Sequence, residues 1–318
     1  MNLIHDENNL FVVGKHRIYK FEDDTSMKVF YEIPKDSKST WTGVGACNGE
    51  HLFVVDSLKN LVCLSVKEAK LSSKVILEKA ATSVFVEGSE IYISDKFGEV
   101  WQGKLDKMTD LDVIIGHISL LTCMLVLTDY IVTADRDEKI RITHRKRPWI
   151  IDQFLLGHKE YVSKLLFIEK ENLLISAGGD EEIFVWSWNP CSFDGLSEGT
   201  DEWNQAEAKS RALIIQKLNL GIDKVNVIEM ILHDGIVHVL IENTSSIKRF
   251  RIEGGELKAI ENLEIEAEPI CATSHNNFLF IGLVDGSLLK NGERISLIED
   301  VFPRKTSQLR KTIRAMVE

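Results

Sequence analysis

Short apolar runs recur along the whole chain in pairs, each pair parted by a cluster of turn residues. The runs at 10–13 and 17–21 flank Gly14, Lys15 and His16. Those at 52–55 and 61–66 flank the turn at 56–60, and those at 91–94 and 100–102 flank Asp95, Lys96, Phe97 and Gly98. The same pattern returns at 131–134 with 140–142, at 174–177 with 183–186, at 238–241 with 247–252, and at 278–282 with 287–289. Runs of this length rich in Val, Ile, Phe and Leu, bounded by Gly, Asp, Asn and Ser, predict β-hairpins. Seven such hairpins can be counted, and no helical pattern alternates with them, which argues against a parallel α/β fold.

Two neighbouring stretches repeat in detail. Gly116-His117 leads to an apolar strand, then to Ile131-Val132-Thr133-Ala134-Asp135-Arg136-Asp137-Glu138-Lys139-Ile140. Gly157-His158 leads to a second apolar strand, then to Leu174-Ile175-Ser176-Ala177-Gly178-Gly179-Asp180-Glu181-Glu182-Ile183-Phe184-Val185-Trp186. A period of about 40 residues in this form is the signature of a WD-type propeller blade. Seven blades of about 40 to 45 residues fill almost the whole of a chain of 318 residues. The fold expected is all-β, a single seven-bladed WD40-type β-propeller over 1–302, followed by a basic tail at 303–318. One strand from the far end of the chain should close the last blade, either Leu3 and Ile4 or part of the C-terminal segment. The segment 189–221 interrupts the pattern. It reads as an inserted loop between blades five and six, helical from Glu202 to Leu218 and capped by Thr200 or Asp201.

In a WD-type blade the Gly-His histidine, a strand Ser or Thr, the turn Asp and a third-strand Trp form a buried hydrogen-bonded chain, because buried polar groups must be paired. His158, Ser176, Asp180 and Trp186 fill all four positions. His117, Thr133 and Asp137 fill three, with Thr143 where the Trp would stand. The other blades are degenerate, with Gly98 in the place of the Asp and Gly282 in the place of the Ser. His158, Ser176 and Asp180 also contain the residue types of a hydrolytic triad. The repeat explains each of them, and no nucleophile elbow or oxyanion motif lies near Ser176. The nine histidines show no HxH or HExxH spacing, and no Gly-Lys-Ser/Thr follows Gly178-Gly179, so neither a metal site nor a phosphate loop is expected. No catalytic residue and no cofactor is predicted. Of the six tryptophans, Trp41, Trp149 and Trp203 lie near turns and are expected to cover blade junctions.

Composition adds three constraints. No apolar run approaches the roughly 18 residues that cross a bilayer, and the N-terminus lacks the pattern of a signal peptide, so no membrane is expected. The five cysteines are widely spaced without a CxxC pair, which predicts reduced thiols. A net charge of −11 disfavours extensive contact with nucleic acid by this chain alone. The charge is uneven, however: Arg304, Lys305, Arg310, Lys311 and Arg314 stand against the lone acid Glu318 in the tail, and Arg145, Lys146 and Arg147 form a second basic cluster. Arg136 sits in a dense charge pattern on a turn usually given to small residues. Either it braces that turn within an ion-pair cluster or it presents charge to a partner.

The block Ala134-Asp135-Arg136-Asp137-Glu138-Lys139-Ile140-Arg141 lies one blade before Gly157-His158 with Glu160-Tyr161-Val162-Ser163. With Ser176-Ala177-Gly178-Gly179-Asp180 and Trp186-Ser187-Trp188, it resembles the WD-repeat non-catalytic subunit of the tRNA guanine-N7 methyltransferase. The resemblance covers about residues 116–188; Thr143 and Ser187 depart from the WD pattern. It implies a propeller without chemistry of its own that binds a separate S-adenosylmethionine-dependent methyltransferase as a heterodimer, holds it in its active form and helps to place tRNA for variable-loop methylation. It implies that Lys164, the basic residue after Val-Ser, pairs with an acidic group of the catalytic subunit, with Lys159, Glu160 and Arg136 as further partner-binding candidates. tRNA would be held mainly through the partner, with Arg304, Lys305, Arg310, Lys311 and Arg314 adding contacts, and the complex would work in the nucleus, with the cytoplasm as a second location. A different class of function competes: a generic propeller adaptor, such as a substrate receptor in ubiquitin ligation or a chromatin scaffold, binding peptides over the central channel. Contacts on a blade side around Lys164 would favour the first, and contacts at the channel mouth the second.

Overall fold

A computed structural model describes residues 1–298 apart from 24, 25, 35, 193, 194 and 224; the basic tail and its five candidate RNA contacts lie outside the described residues. Twenty-eight strands form seven four-stranded antiparallel sheets, each from four consecutive strands, over 2–32, 41–76, 81–116, 121–155, 162–219, 227–264 and 269–297. The first strand of each sheet lies innermost and the fourth outermost. Burial follows this radial order. The second strands are buried at every position, as in Tyr130–Asp135 and Leu173–Gly178, or at all but the first, as in His51–Asp56. They read as continuous apolar runs because a neighbouring blade covers each of their faces, and alternation is the mark of a sheet with one wet face. The outer strand Lys70–Ile76 of blade two is almost wholly exposed.

No sheet buries its own faces, so the apolar clusters all span blade junctions. Ile175, Val185 and Ile183 of blade five pack with Val227, Val237 and Val239 of blade six. Partly buried hydroxyls add stitches near the axis. Thr122 Oγ1 donates to the Val162 carbonyl of the next blade, and Ser163 Oγ donates to the Val227 carbonyl of the blade after that. Both hydroxyl residues sit at a register shift in their strand, which turns the side chain towards the neighbour. The ring closes by packing as well. Leu3 and Ile4 do not complete the seventh blade; they lie in Asn2–His5, the innermost strand of blade one. Blade seven has its own fourth strand, Glu293–Leu297. Met1, Leu3, Leu10 and Val12 press against Ile270, Cys271, Phe280 and Ile298 across the closure.

The insertion also differs from expectation. Leu213–Asn219 is a strand, the fourth of blade five, so the inserted segment joins the third and fourth strands of that blade instead of separating blades five and six. Its helix is only Asp201–Lys209, capped by Thr200 Oγ1 accepting from the Trp203 amide. The run Leu213-Ile214-Ile215 carries the β-branched residues of an extended strand, which outweigh the helical charge pattern that precedes them. The insertion folds back onto blade four. Gln153 exchanges two hydrogen bonds with the Ala212 backbone at 2.9 Å each. Trp203 is buried, stacked on His144 and covered by the Arg147 guanidinium 4.9 Å from its ring. The basic cluster is thus absorbed internally: Arg147 also donates to the Leu196 carbonyl, Arg145 lies 3.7 Å from Glu87 and Lys146 lies 3.5 Å from Asp129. Of the three tryptophans near turns, Trp41 and Trp203 do cover junctions, whereas Trp149 is 74% exposed.

Two buried positions generate measurable consequences. A Cβ on Gly178 would stand 1.9 Å from the Tyr161 carbonyl oxygen, and one on Gly179 would stand 2.5 Å from the Tyr161 ring. The glycine pair is therefore required by a close backbone crossing, and Gly178→Ala is expected to cost about 3 kcal/mol, read by chemical denaturation, since the clash is with main chain that cannot swing aside. His238 is buried between blades six and seven, opposite Arg249 in the strand register and with the His233 ring 6.2 Å away. Burial first, then the charges of Arg249 and His233, push its pKa down to about 4 from an ordinary 6.5. The unfolded chain therefore binds the proton more readily, and stability is full above pH 6.5 and falls as pH drops towards 4. Melting temperatures across that range should fall more steeply in wild type than in His238→Gln.

Candidate partner-binding face

The four residues read as a network in blade five form one. His158 Nδ1 meets both Asp180 carboxylate oxygens at 2.9 Å, and His158 Nε2 lies 2.8 Å from Ser176 Oγ. Trp186 Nε1 donates to the same Ser176 Oγ at 2.9 Å, and Asp180 accepts the Lys159 amide at 3.0 Å. Ser176 is completely buried and its hydroxyl is engaged by two partners, so it offers no nucleophile to a substrate. The set is a tie between the inter-blade connection and two strands.

Blade four corrects the expected pattern. His117 Nε2 lies 2.8 Å from Thr133 Oγ1 as predicted, but His117 Nδ1 meets Asp135 at 3.1 Å and not Asp137. The His117 and Asp135 side chains are each 4% exposed, whereas Asp137 is 49% exposed. Asp135 also accepts the amides of Asp137 and Lys139, at 2.9 and 3.0 Å, and so closes the turn from inside. Aligning the turns on Asp180 hides this, because the carboxylate has moved two residues earlier, to the end of the second strand. The same device recurs in the blades that looked degenerate. Asp56 accepts from the Leu58 and Asn60 amides, and Asp95 accepts from Phe97, Glu99 and the Trp101 indole. An Asp as the last residue of the second strand, at Asp56, Asp95 and Asp135, is the sequence signal for it. Arg136 pairs at 3.2 Å with Asp137 at the surface, a contact of about 0–1 kcal/mol, so the turn is braced by Asp135 and not by Arg136.

The candidate binding residues gather on one face. Arg136 lies in the turn between the second and third strands of blade four. Lys159 and Glu160 lie in the connection from blade four to blade five; both are exposed. In this topology such turns and connections share the same rim of the propeller. Phe97 and Ile118, both exposed, lie on that rim in blade three and in its connection to blade four. Gly98 ties their two loops, its carbonyl accepting the His117 amide at 2.8 Å. The pattern of core strands gave no reason to select these two side chains.

Lys164 is placed differently. It sits in Val162–Ile168, the innermost strand of blade five, and lines the central channel, a cavity of about 1180 Å³. Its ammonium contacts Glu229 of blade six at 2.9 Å, with the two side chains 31% and 24% exposed. Glu229 also accepts the Met230 amide at 3.1 Å. On the other side of Lys164 is Cys123, whose thiol burial pushes up to about 12 despite the opposing lysine charge. A second carboxylate, Glu242, lines the same channel and accepts from Asn226, which in turn accepts the Tyr161 hydroxyl. Lys164 is thus reached from the channel mouth and not from a blade side, so the location of contacts around it no longer separates a subunit from a peptide adaptor. Glu229 was not singled out from sequence, because only the fold brings residues 164 and 229 together.

Residues 102–283 match the family model described as the tRNA methyltransferase TRM82 WD40 domain. The chain is 42% identical over 120 residues to the tRNA (guanine-N(7)-)-methyltransferase non-catalytic subunit TRM82 of Kluyveromyces lactis, covering 34% of this chain and 27% of that one. It is 35% identical over 162 residues to the subunit of the same name in Candida glabrata, covering 44% and 38%. To the non-catalytic subunit wdr4 of Danio rerio it is 34% identical over 161 residues, covering 48% and 39%. The matched part therefore spans well under half the length of each of these relatives. Among solved structures, a chain of the mitotic checkpoint complex superposes with a TM-score of 0.72 at 12% identity, covering 91% of this chain and 87% of that one. The β-propeller domain of Cps50 (Swd1) from Myceliophteria thermophila superposes with 0.69 at 11%, covering 87% and 90%. At such identities these two speak for the fold alone.

The blade-four geometry separates two neighbouring carboxylates. Asp135→Ala should lower stability by roughly 2–3 kcal/mol, because it strands two turn amides and a buried histidine. Asp137→Ala should cost less than about 1 kcal/mol, as expected for an exposed side chain. Parallel urea denaturation of the two variants measures the difference, and equal losses would contradict the assignment.

Proposed function

The chain belongs to the family of tRNA methyltransferase TRM82 WD40 domains, and from that premise we propose that it is the non-catalytic subunit of a tRNA guanine-N7 methyltransferase. The observation that carries the reading is the family match over 102–283, which runs from blade three into blade seven, together with the similarity to relatives that are named non-catalytic subunits. The propeller binds a separate S-adenosylmethionine-dependent catalytic subunit as a heterodimer and holds it in its active form. tRNA is bound mainly by that partner, with the basic tail from Arg304 to Arg314 adding phosphate contacts, and the complex acts in the nucleus.

The interface is assigned to the rim of blades four and five. Lys159 and Glu160 supply exposed charge there, Arg136 a half-buried guanidinium, and Lys164 a partly buried ammonium at the channel mouth. A partner carboxylate that reaches Lys164 is desolvated on contact. Losing one member of such a pair typically costs 2–5 kcal/mol, largely because the other charge is left without a counter-ion.

Co-expression with the guanine-N7 tRNA methyltransferase of the same organism tests the reading. Wild-type chain should co-elute with the enzyme in size-exclusion chromatography and raise tRNA methylation. Lys164→Glu should lower both at least tenfold while the propeller stays folded, with a lowered melting temperature from the repulsion of Glu229. A wild-type chain that neither binds nor stimulates the enzyme would remove the subunit assignment.

A further inference from the structure

We propose that Glu229 is an internal counter-ion that restrains the affinity of Lys164 for the catalytic subunit, a role that rests on the subunit reading above. Three observations carry it. Lys164 is already paired at 2.9 Å within the chain. Glu229 is held for that contact by its second bond to the Met230 amide, so the carboxylate is fixed by strand geometry. Lys164 keeps about a third of its side chain exposed, which leaves the ammonium reachable from the channel. An ammonium has three donors and can serve a second acceptor. Any carboxylate brought to it from a partner meets Glu229 at close range, and the repulsion acts in a partly desolvated site where screening is weak. The sign is the same whether the incoming group displaces Glu229 or shares the lysine: the negative charge of Glu229 opposes binding. The restraint gives the mouth selectivity. A lysine already paired with a carboxylate is a poor trap for phosphates or for arbitrary acidic peptides, and it yields only to a partner that also makes the surrounding rim contacts.

The test is the dissociation constant for the catalytic subunit, measured by calorimetry with the full chain as wild type and as three variants: Glu229→Gln, Lys164→Gln and the double variant. Gln keeps the size of Glu and an oxygen to accept from Lys164. Glu229→Gln should bind about fivefold tighter or more. Lys164→Gln should bind much more weakly, because Glu229 then faces the partner's carboxylate uncompensated, and adding Glu229→Gln to it should recover part of the loss. An unchanged or weaker affinity in Glu229→Gln, or no recovery in the double variant, would overturn the restraint while leaving the subunit reading in place. No binding by wild type would overturn both. If Glu229→Gln alone folds poorly, the comparison of the double variant with Lys164→Gln decides the question.

Discussion

A sheet in this molecule cannot bury either of its faces by itself, and the rest of the structure follows from that constraint. The second strand of each blade is apolar on both sides, so its stability is a property of the junction and not of the blade. Seven junctions must form together, including the one where Met1 and Leu3 meet Ile270 and Phe280. That closure is made by packing, without exchange of a strand between the chain ends. The buried polar groups fit the same demand. Hydroxyls of Thr122 and Ser163 reach across to neighbouring blades, and carboxylates of Asp56, Asp95, Asp135 and Asp180 satisfy turns that would otherwise bury their amides unpaired.

Charge enters this apolar ring in few places, and Lys164 with Glu229 is one of them. The pair bridges the innermost strands of blades five and six, where solvent enters through the channel. A neutral pair at that depth costs the free chain little and leaves a cation available to a partner with a matching anion. The neighbouring rim carries Lys159 and Glu160 exposed in one connecting loop and the half-buried Arg136 in an adjoining turn. The opposite rim is occupied differently: there the insertion of blade five clamps Trp203 between His144 and Arg147, which consumes the basic cluster in intramolecular contacts.

Much of this was legible in the sequence, for reasons that can be located. Hairpins announce themselves through local pattern, so the blade count followed from runs such as 52–55 and 61–66. The His158 network followed because blade five carries all four residue types at regular spacing. Asp135 was missed because the neighbouring Asp137 fits an alignment that ignores which carboxylate faces inward. The strand Leu213–Asn219 was hidden behind a helical charge pattern, since secondary-structure preference there is settled by pairing with Glu182–Ser187. Glu229 was invisible because a contact across 65 positions depends on how blade five packs against blade six. The match over 102–283 extends well beyond the segment whose motifs suggested the family.

The central claim is that a catalytic partner docks on the rim of blades four and five and reaches Lys164 through the channel mouth. Hydrogen–deuterium exchange of the chain, alone and with the guanine-N7 tRNA methyltransferase, tests it most directly. The account predicts slowed exchange in the loops at 116–120, 135–139 and 156–161, with the insertion at 188–212 unchanged. Protection confined to the insertion or to the outer strands, with those loops exchanging as in the free chain, would contradict it.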